Sequence, residues 1–248
     1  MKINSTRTSA LSLRIGAQTN QSVDLNKWIF NHLPILESNR VLELCCGTGA
    51  QTKYFSDYIK SGAITCVDIN PSTIQANKDY VRDPKIRYIA SPLDDFKKYA
   101  KNKYDIIFCA YGFYYSKNPK GLHKELRKKL NNMGRFILSG PVLGNNIELY
   151  RIISNIGCKI PKPVTYSSEL FMLEFLQEFL TSYESVTFER VENKINYSSP
   201  EALLAYWKNT TFYTPGFDSR FIFETKRCLG RKISITKSLS FLQGKGPK

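Results

Sequence analysis

Val41-Leu42-Glu43-Leu44-Cys45-Cys46-Gly47-Thr48-Gly49-Ala50 is the stretch on which the reading of this chain turns. Its first half is a short apolar run, the pattern of a strand buried on both faces of a parallel sheet. Gly47 and Gly49 then make a turn at which the backbone can approach a ligand where a Cβ would collide. After Ala50 the pattern becomes helical. A buried strand, a glycine turn and a helix start open a βαβ unit. In open α/β sheets, ligands occupy the crevice at the carboxyl ends of such strands.

Outward from this stretch, apolar β-branched runs alternate with amphipathic segments, the arrangement of a mostly parallel sheet with helices on both faces. Strands are predicted at Val41–Cys46, Ala63–Ile69, Ile86–Ser91, Tyr104–Ala110 and Gly134–Gly140, with helices near 49–60, 71–82, 94–101 and 119–131. Pro71 suits the first turn of its helix, where a missing N–H costs nothing. Asn131-Asn132-Met133-Gly134 reads as a helix stop before the fifth strand. Past residue 141 the rhythm changes. A helix at Gly144–Ile156 is followed by a loop punctuated by Pro161 and Pro163, a sheet-covering helix at Leu170–Tyr183 and a strand at Val186–Glu192. Ser199-Pro200-Glu201 opens another helix with a side-chain cap and a proline in its first turn. A helix at Ser219–Leu229 and a strand at Ile233–Gln243 end the pattern. No internal repeat or long linker interrupts it, so the 248 residues read as one domain. Its core is about 35–141 plus 169–193 and 233–245, and its lid pieces are 1–35, 142–168 and 194–232.

Asp68 stands 21 residues beyond Gly47, at the end of the second strand, where a carboxylate can take both hydroxyls of a ribose. A dinucleotide-binding turn would read G-x-G-x-x-G, and here the third glycine position is Thr52. Glu43 adds a second difference. A carboxylate facing the turn would repel a pyrophosphate and favour the ammonium and sulfonium of a methyl donor.

At this point the sequence resembles a known family. VLELCCGTGAQT is similar to motif I of class I S-adenosylmethionine-dependent methyltransferases, CVDIN to their ribose-binding motif, and YDIIFCAYGFYY to their fourth-strand motif, over roughly residues 35–141. The resemblance implies a Rossmann-like, seven-stranded, mostly parallel sheet with an antiparallel last strand and helical lid insertions. It implies that Glu43, Cys45, Gly47, Thr48 and Gly49 line the methionine end of S-adenosylmethionine. Asp68 would hold the ribose, Ile69, Leu93 and Asp94 would flank the adenine, and Ala110 and Tyr111 would border the sulfonium. Methyl acceptors dock past the fourth strand in this fold, which makes Phe113, Tyr114 and Tyr115 candidates for an acceptor wall, with Trp207 and Tyr213 facing them across one pocket. Simple core packing would explain the same aromatics.

The bulk composition bounds the rest. Hydrophobic residues make up 42%, a globular composition. No apolar run is long enough to span a bilayer, and the amino-terminal segment has no apolar core of a secretory signal, so no membrane association is expected. The six cysteines form no C-x-x-C pair and the two histidines lie outside metal-ligand spacing, so no metal is expected and a reducing cytoplasm fits. Cys45-Cys46 reads as packing, with no adjacent base to activate a thiol, and His123, in a lysine-rich helix, as solvated surface. The net charge of +15 (36 basic against 21 acidic residues) attracts anions. A small-molecule acceptor, anions among the candidates, suits the short lid pieces. Methylation of tRNA or rRNA is the alternative the charge motivates, and a cofactor-binding protein without transfer activity is a third. No residue stands out as a general base.

Overall fold

A computed structural model describes Ser9, Leu13, Gly16 and residues 20–248. The apolar runs form the strands β1 (Arg40–Leu44), β2 (Ala63–Asp68), β3 (Ile86–Ala90), β4 (Tyr104–Ala110), β5 (Leu130–Pro141), β6 (Tyr183–Tyr197) and β7 (Ile233–Pro247). They make one seven-stranded sheet in the order β3-β2-β1-β4-β5-β7-β6. β1 pairs in parallel with β2 and β4, β2 with β3, and β4 with β5. The last strand is antiparallel, and the whole is a Rossmann-like sheet with helices around it. From β1 the chain steps outward to β2 and β3, then returns to place β4 on the other flank of β1. That reversal is the topological switch point, beside which sheets of this type bind their ligands.

Local chemistry sets the helix starts. Asn70, Asn118 and Ser199 each accept a backbone N–H through the side chain, from Ser72, Gly121 and Ala202 respectively, and each is followed by a proline in the first turn. These caps begin the helices Pro71–Tyr80, Pro119–Arg127 and Pro200–Lys208.

The described chain divides into two compact units. The first holds Asn26–Gly140, Phe171–Arg190 and Ser240–Lys248; the second holds Pro141–Leu170, Val191–Leu239 and the described residues up to Leu25. The first unit is centred on the β1–β4 interior, where Phe55 meets Phe108 edge to face at 5.4 Å. It continues through Phe113, Phe136, Phe175 and Phe179. The second packs Leu149, Ile152, Leu203, Trp207, Phe221 and Ile235 into its own cluster, with Trp207 stacked on Phe221 at 4.6 Å.

Three readings of the sequence need correction. His123 is fully buried, stacked on Phe179 and hydrogen-bonded to Tyr183 Oη at 2.8 Å. Burial drives its pKa down to about 3, so the ring is neutral and its approach to Glu178 is no ion pair. One apolar helix face, and not the surrounding lysines, decides its position. Asn131–Gly134 is an irregularity inside β5, since the pairing jumps from Tyr104↔Leu130 to Ile106↔Arg135. The helix before it already ends at Arg127. β6 and β7 also run longer than their apolar patterns, because Gly244 continues the ladder with its Cα against the Tyr183 ring, where a Cβ would lie 2.2 Å from a ring carbon.

Candidate functional site

At the switch point the ends of β1 and β4 are both bent into the left-handed backbone region. Among the described residues only Cys45, Tyr111 and Asn146 adopt it without being glycine, and Cys45 (φ 54°) and Tyr111 (φ 56°) close these two strands. Such conformations are costly for residues with a Cβ and concentrate at ligand sites. Tyr111 is held there by its N–H donating to the Ser139 carbonyl at 2.8 Å. Its neighbour Gly112 lies so close to the β1 turn that a Cβ would stand 2.4 Å from Cys45 Cβ. The two loops therefore touch backbone to side chain, which only glycine at 112 allows.

The turn itself needs both glycines. Gly47 and Gly49 have φ of 55° and 99°, and a Cβ on Gly49 would meet Asn77 Oδ1 at 2.5 Å. The Gly47 N–H donates to Asp68 Oδ2 at 3.1 Å, and the Asn70 N–H to Oδ1 at 3.0 Å. Burial pushes the Asp68 carboxyl above its ordinary pKa, and the backbone N–H groups of Asn70, Gly47 and Ile69 pull against that shift. Ile69, beside it, keeps 48% of its surface exposed, and Tyr111 keeps 42%. Cys45, Gly47, Thr48, Asp68 and Ala110 are half-buried around the same strand ends, with Gly49 buried among them.

Glu43 is placed differently from the expectation. It is 2% exposed, lies beneath the turn and accepts from Thr52 Oγ1 at 2.7 Å and from Cys66 Sγ at 3.3 Å. Asn77 Nδ2 donates to the same Thr52 hydroxyl at 2.9 Å. Desolvation raises the Glu43 pKa to about 7, and Asp68 adds to the rise. The two departures from a dinucleotide fingerprint, Glu43 and Thr52, are thus bonded to each other. They brace the turn from below, and the carboxylate does not line it. Thr52 was singled out in the sequence only as a missing glycine, and Asn77 and Gly112 were not singled out at all. A glycine immediately after a buried strand was the one available signal.

The remaining candidates separate. Asp94 accepts from Ser116 Oγ and from the Lys117 N–H, the latter at 3.1 Å, so it fastens the loop after β4. The Leu93 carbonyl accepts from Tyr99 Oη. Phe113 is core, 2% exposed between Phe136 and Phe175, which removes it from any acceptor wall. Tyr114 and Tyr115 pack on each other at 4.8 Å, with Tyr115 exposed. Trp207 has no exposed surface and belongs to the interior of the second unit, with Tyr213 edge-on to it and hydrogen-bonded to Asp218. The aromatics at 111–115 and at 206–213 fall in different units.

Comparison with known proteins agrees with this geometry. Residues 42–138 match the family described as methyltransferase domain. A malonyl-[acyl-carrier protein] O-methyltransferase of Anoxybacillus flavithermus is 30% identical over 99 residues, covering 40% of this chain and 38% of that protein. A malonyl-[acyl-carrier protein] O-methyltransferase 2 of Ilyobacter polytropus is 28% identical over 216 residues, covering 82% of this chain and 81% of its own length. The chain thus spans well under half of the first relative and most of the second. Among solved structures, the YcgJ protein from Bacillus subtilis superposes with a TM-score of 0.62 at 14% identity, covering 90% of this chain and 98% of the other. The plantazolicin methyltransferase BpumL, in complex with a monoazolic desmethylPZN analog and SAH, gives 0.52 at 15% identity, covering 98% and 87%.

Residues 42–138 thus match the methyltransferase domain family, on a sheet of the class I methyltransferase fold. The Asp68 carboxylate, with exposed Ile69 beside it and Cys45, Gly47 and Thr48 half-buried around the same strand ends, fits the nucleoside end of S-adenosylmethionine.

Proposed function

We propose that the whole chain methylates a carboxylate oxygen of a small acyl acceptor, of the malonyl type that its relatives' names describe. The observation that carries methyl transfer is the Gly47–Gly49 turn closed over Asp68 at the β1–β4 switch point. The choice of acceptor is supported by the malonyl-[acyl-carrier protein] relatives. It also accounts for a feature of the site: an ionised carboxylate is already a nucleophile, so no general base is required.

When bound, S-adenosylmethionine supplies a methyl group on a cationic sulfur that leaves as a neutral thioether. Asp68, Gly47 and Ile69 would fix the nucleoside, and Cys45, Thr48 and Tyr111 would border the methionine end. The chain's own contribution is to align the acceptor oxygen and to exclude water while opposite charges approach and cancel. Six cysteines, all free thiols, support a cytoplasmic setting.

The test is incubation of the chain with methyl-labelled donor and malonyl-coenzyme A, followed by mass spectrometry. The expected product is a base-labile methyl ester on the malonyl group. Label entering RNA, or no methyl ester on any carboxylate offered, would overturn this reading.

A further inference from the structure

Lys237, in β7, is a buried cation without a counterion. It is 9% exposed, and its ammonium group has two partners, the Tyr206 hydroxyl and the face of the same ring, 4.6 Å from the ring centroid. Among the described residues no carboxylate pairs with it. An ammonium removed from water is strongly unfavourable unless paired. Tyr197 stands on Tyr206, its ring centroid 5.9 Å from that of Tyr206. The Tyr197 hydroxyl is buried and has no hydrogen-bond partner. Buried donors without acceptors are rare and call for an explanation. A positive charge and an idle O–H donor, both neighbours of Tyr206, share one missing complement, an anion with oxygen acceptors.

The place is suited to a ligand. The Val142 N–H donates to the Ser238 carbonyl at 3.2 Å, so Lys237 sits in β7 immediately past the carboxyl end of β5. Carboxyl ends of strands are where sheets of this type take their ligands. All of these groups lie within the second unit.

We infer that Lys237, Tyr197 and Tyr206 form a carboxylate-binding site. The anion would accept hydrogen bonds from the Lys237 ammonium and the Tyr197 hydroxyl, while the Tyr206 hydroxyl holds the ammonium in place. Identifying this anion with the acyl acceptor rests on the proposed function; the requirement for an anion does not.

The test is therefore made without the methyl donor, by thermal shift and calorimetry with malonyl-coenzyme A, malonate and the neutral dimethyl ester of malonate. Malonyl-coenzyme A and malonate should stabilise the chain, and the neutral ester should not. Lys237→Met should weaken malonate binding by at least about 10-fold, the scale of a charge-assisted hydrogen bond, while S-adenosylmethionine binding changes less than about twofold. Lys237→Met removes an unpaired buried charge and should fold at least as well as the parent chain. Tyr197→Phe removes a hydroxyl that has no partner to lose, so it serves as a second variant and should weaken malonate about three- to tenfold. Equal malonate binding in parent and Lys237→Met, or no carboxylate binding by the parent, would overturn the inference. Malonate binding lost in Lys237→Met, with no methyl ester formed by the parent, would preserve the site and reject the proposed reaction.

Discussion

Asp68 accepts hydrogen bonds from the backbone of Gly47 and Asn70, so a change there touches the turn as well as the proposed cofactor contact. Asp68→Ala should weaken S-adenosylmethionine binding by about 2 kcal/mol, the scale of hydrogen bonds to a charged group, and should also lower stability, because backbone N–H groups lose their acceptor. Asp68→Asn keeps one acceptor oxygen and should separate these effects, with near-parental stability and a loss of affinity about 10-fold. Calorimetry on both variants decides; unchanged affinity in folded protein removes Asp68 from the site. Glu43 provides a different experiment. The unfolded chain releases this proton near the ordinary value of 4.5, whereas the folded chain keeps it until about 7. Between those values the folded state binds the extra proton, so the contribution to stability is complete below 4.5 and is lost as pH rises to about 7. The loss is on the order of 3 kcal/mol, and Glu43→Gln should abolish that part of the pH dependence. Urea titrations from acid to neutral pH would show it. A parental pH profile in Glu43→Gln would mean that the Thr52–Glu43–Cys66 contacts do not control this ionisation.

Between the elements, the loops after β1 and β4 are in direct contact at Cys45 and Gly112. Gly112→Ala should force Cys45 aside, because the new Cβ would stand 2.4 Å from Cys45 Cβ, and overpacking of this kind costs about 1–3 kcal/mol. Cys45 itself has a left-handed backbone, φ 54°, so Cys45→Gly relieves backbone strain and makes room at the same time. The double variant should therefore recover most of the stability lost by Gly112→Ala, a coupling that chemical denaturation of all four proteins measures. Additive losses would mean that the two loops do not constrain each other. This scale also shows what the sequence could convey. Strand, turn and helix order was legible because both periods and the Asn70-Pro71 and Ser199-Pro200 caps are local signals. The placing of Asp68 against the turn followed from its spacing of 21 residues from Gly47. The Glu43–Thr52–Asn77 brace was not legible, because β1, the helix starting at Ala50 and the helix starting at Pro71 meet only in three dimensions. His123 was misplaced for the same reason: a ring's polarity says little until the face it lies on is known.

For the whole molecule, the net charge of +15 asks for an explanation that the methyl-transfer site does not provide. The basic residues are more convergent than the sequence suggests. Lys97, Lys101, Lys103, Lys128 and Lys129 line a concavity of about 450 Å³ with Phe96, Asn102 and Glu125. It lies beside the amino-terminal ends of β4 and β5, whereas the cofactor turn lies at the carboxyl ends. Two of the five are already engaged: Lys103 donates to the Lys128 and Leu130 carbonyls, and Lys128 pairs with Glu125 at 2.6 Å. Three ammonium groups in one depression are enough for loose attraction to a polyanion and too few for a tight complex. Bulk tRNA should accordingly be retained at about 50 mM salt and released by about 200 mM, since each phosphate contact contributes close to one unit of salt slope. Lys97→Gln, Lys101→Gln and Lys129→Gln together should reduce that slope by about 2 to 3. They should leave methylation of malonyl-coenzyme A unchanged, because the concavity and the cofactor turn sit at opposite ends of the strands. Filter binding across a salt series and a parallel methylation assay separate the possibilities. Submicromolar retention of one particular RNA at physiological salt, lost in the triple variant, would show that this depression serves a specific nucleic acid and that the charge belongs to the substrate after all.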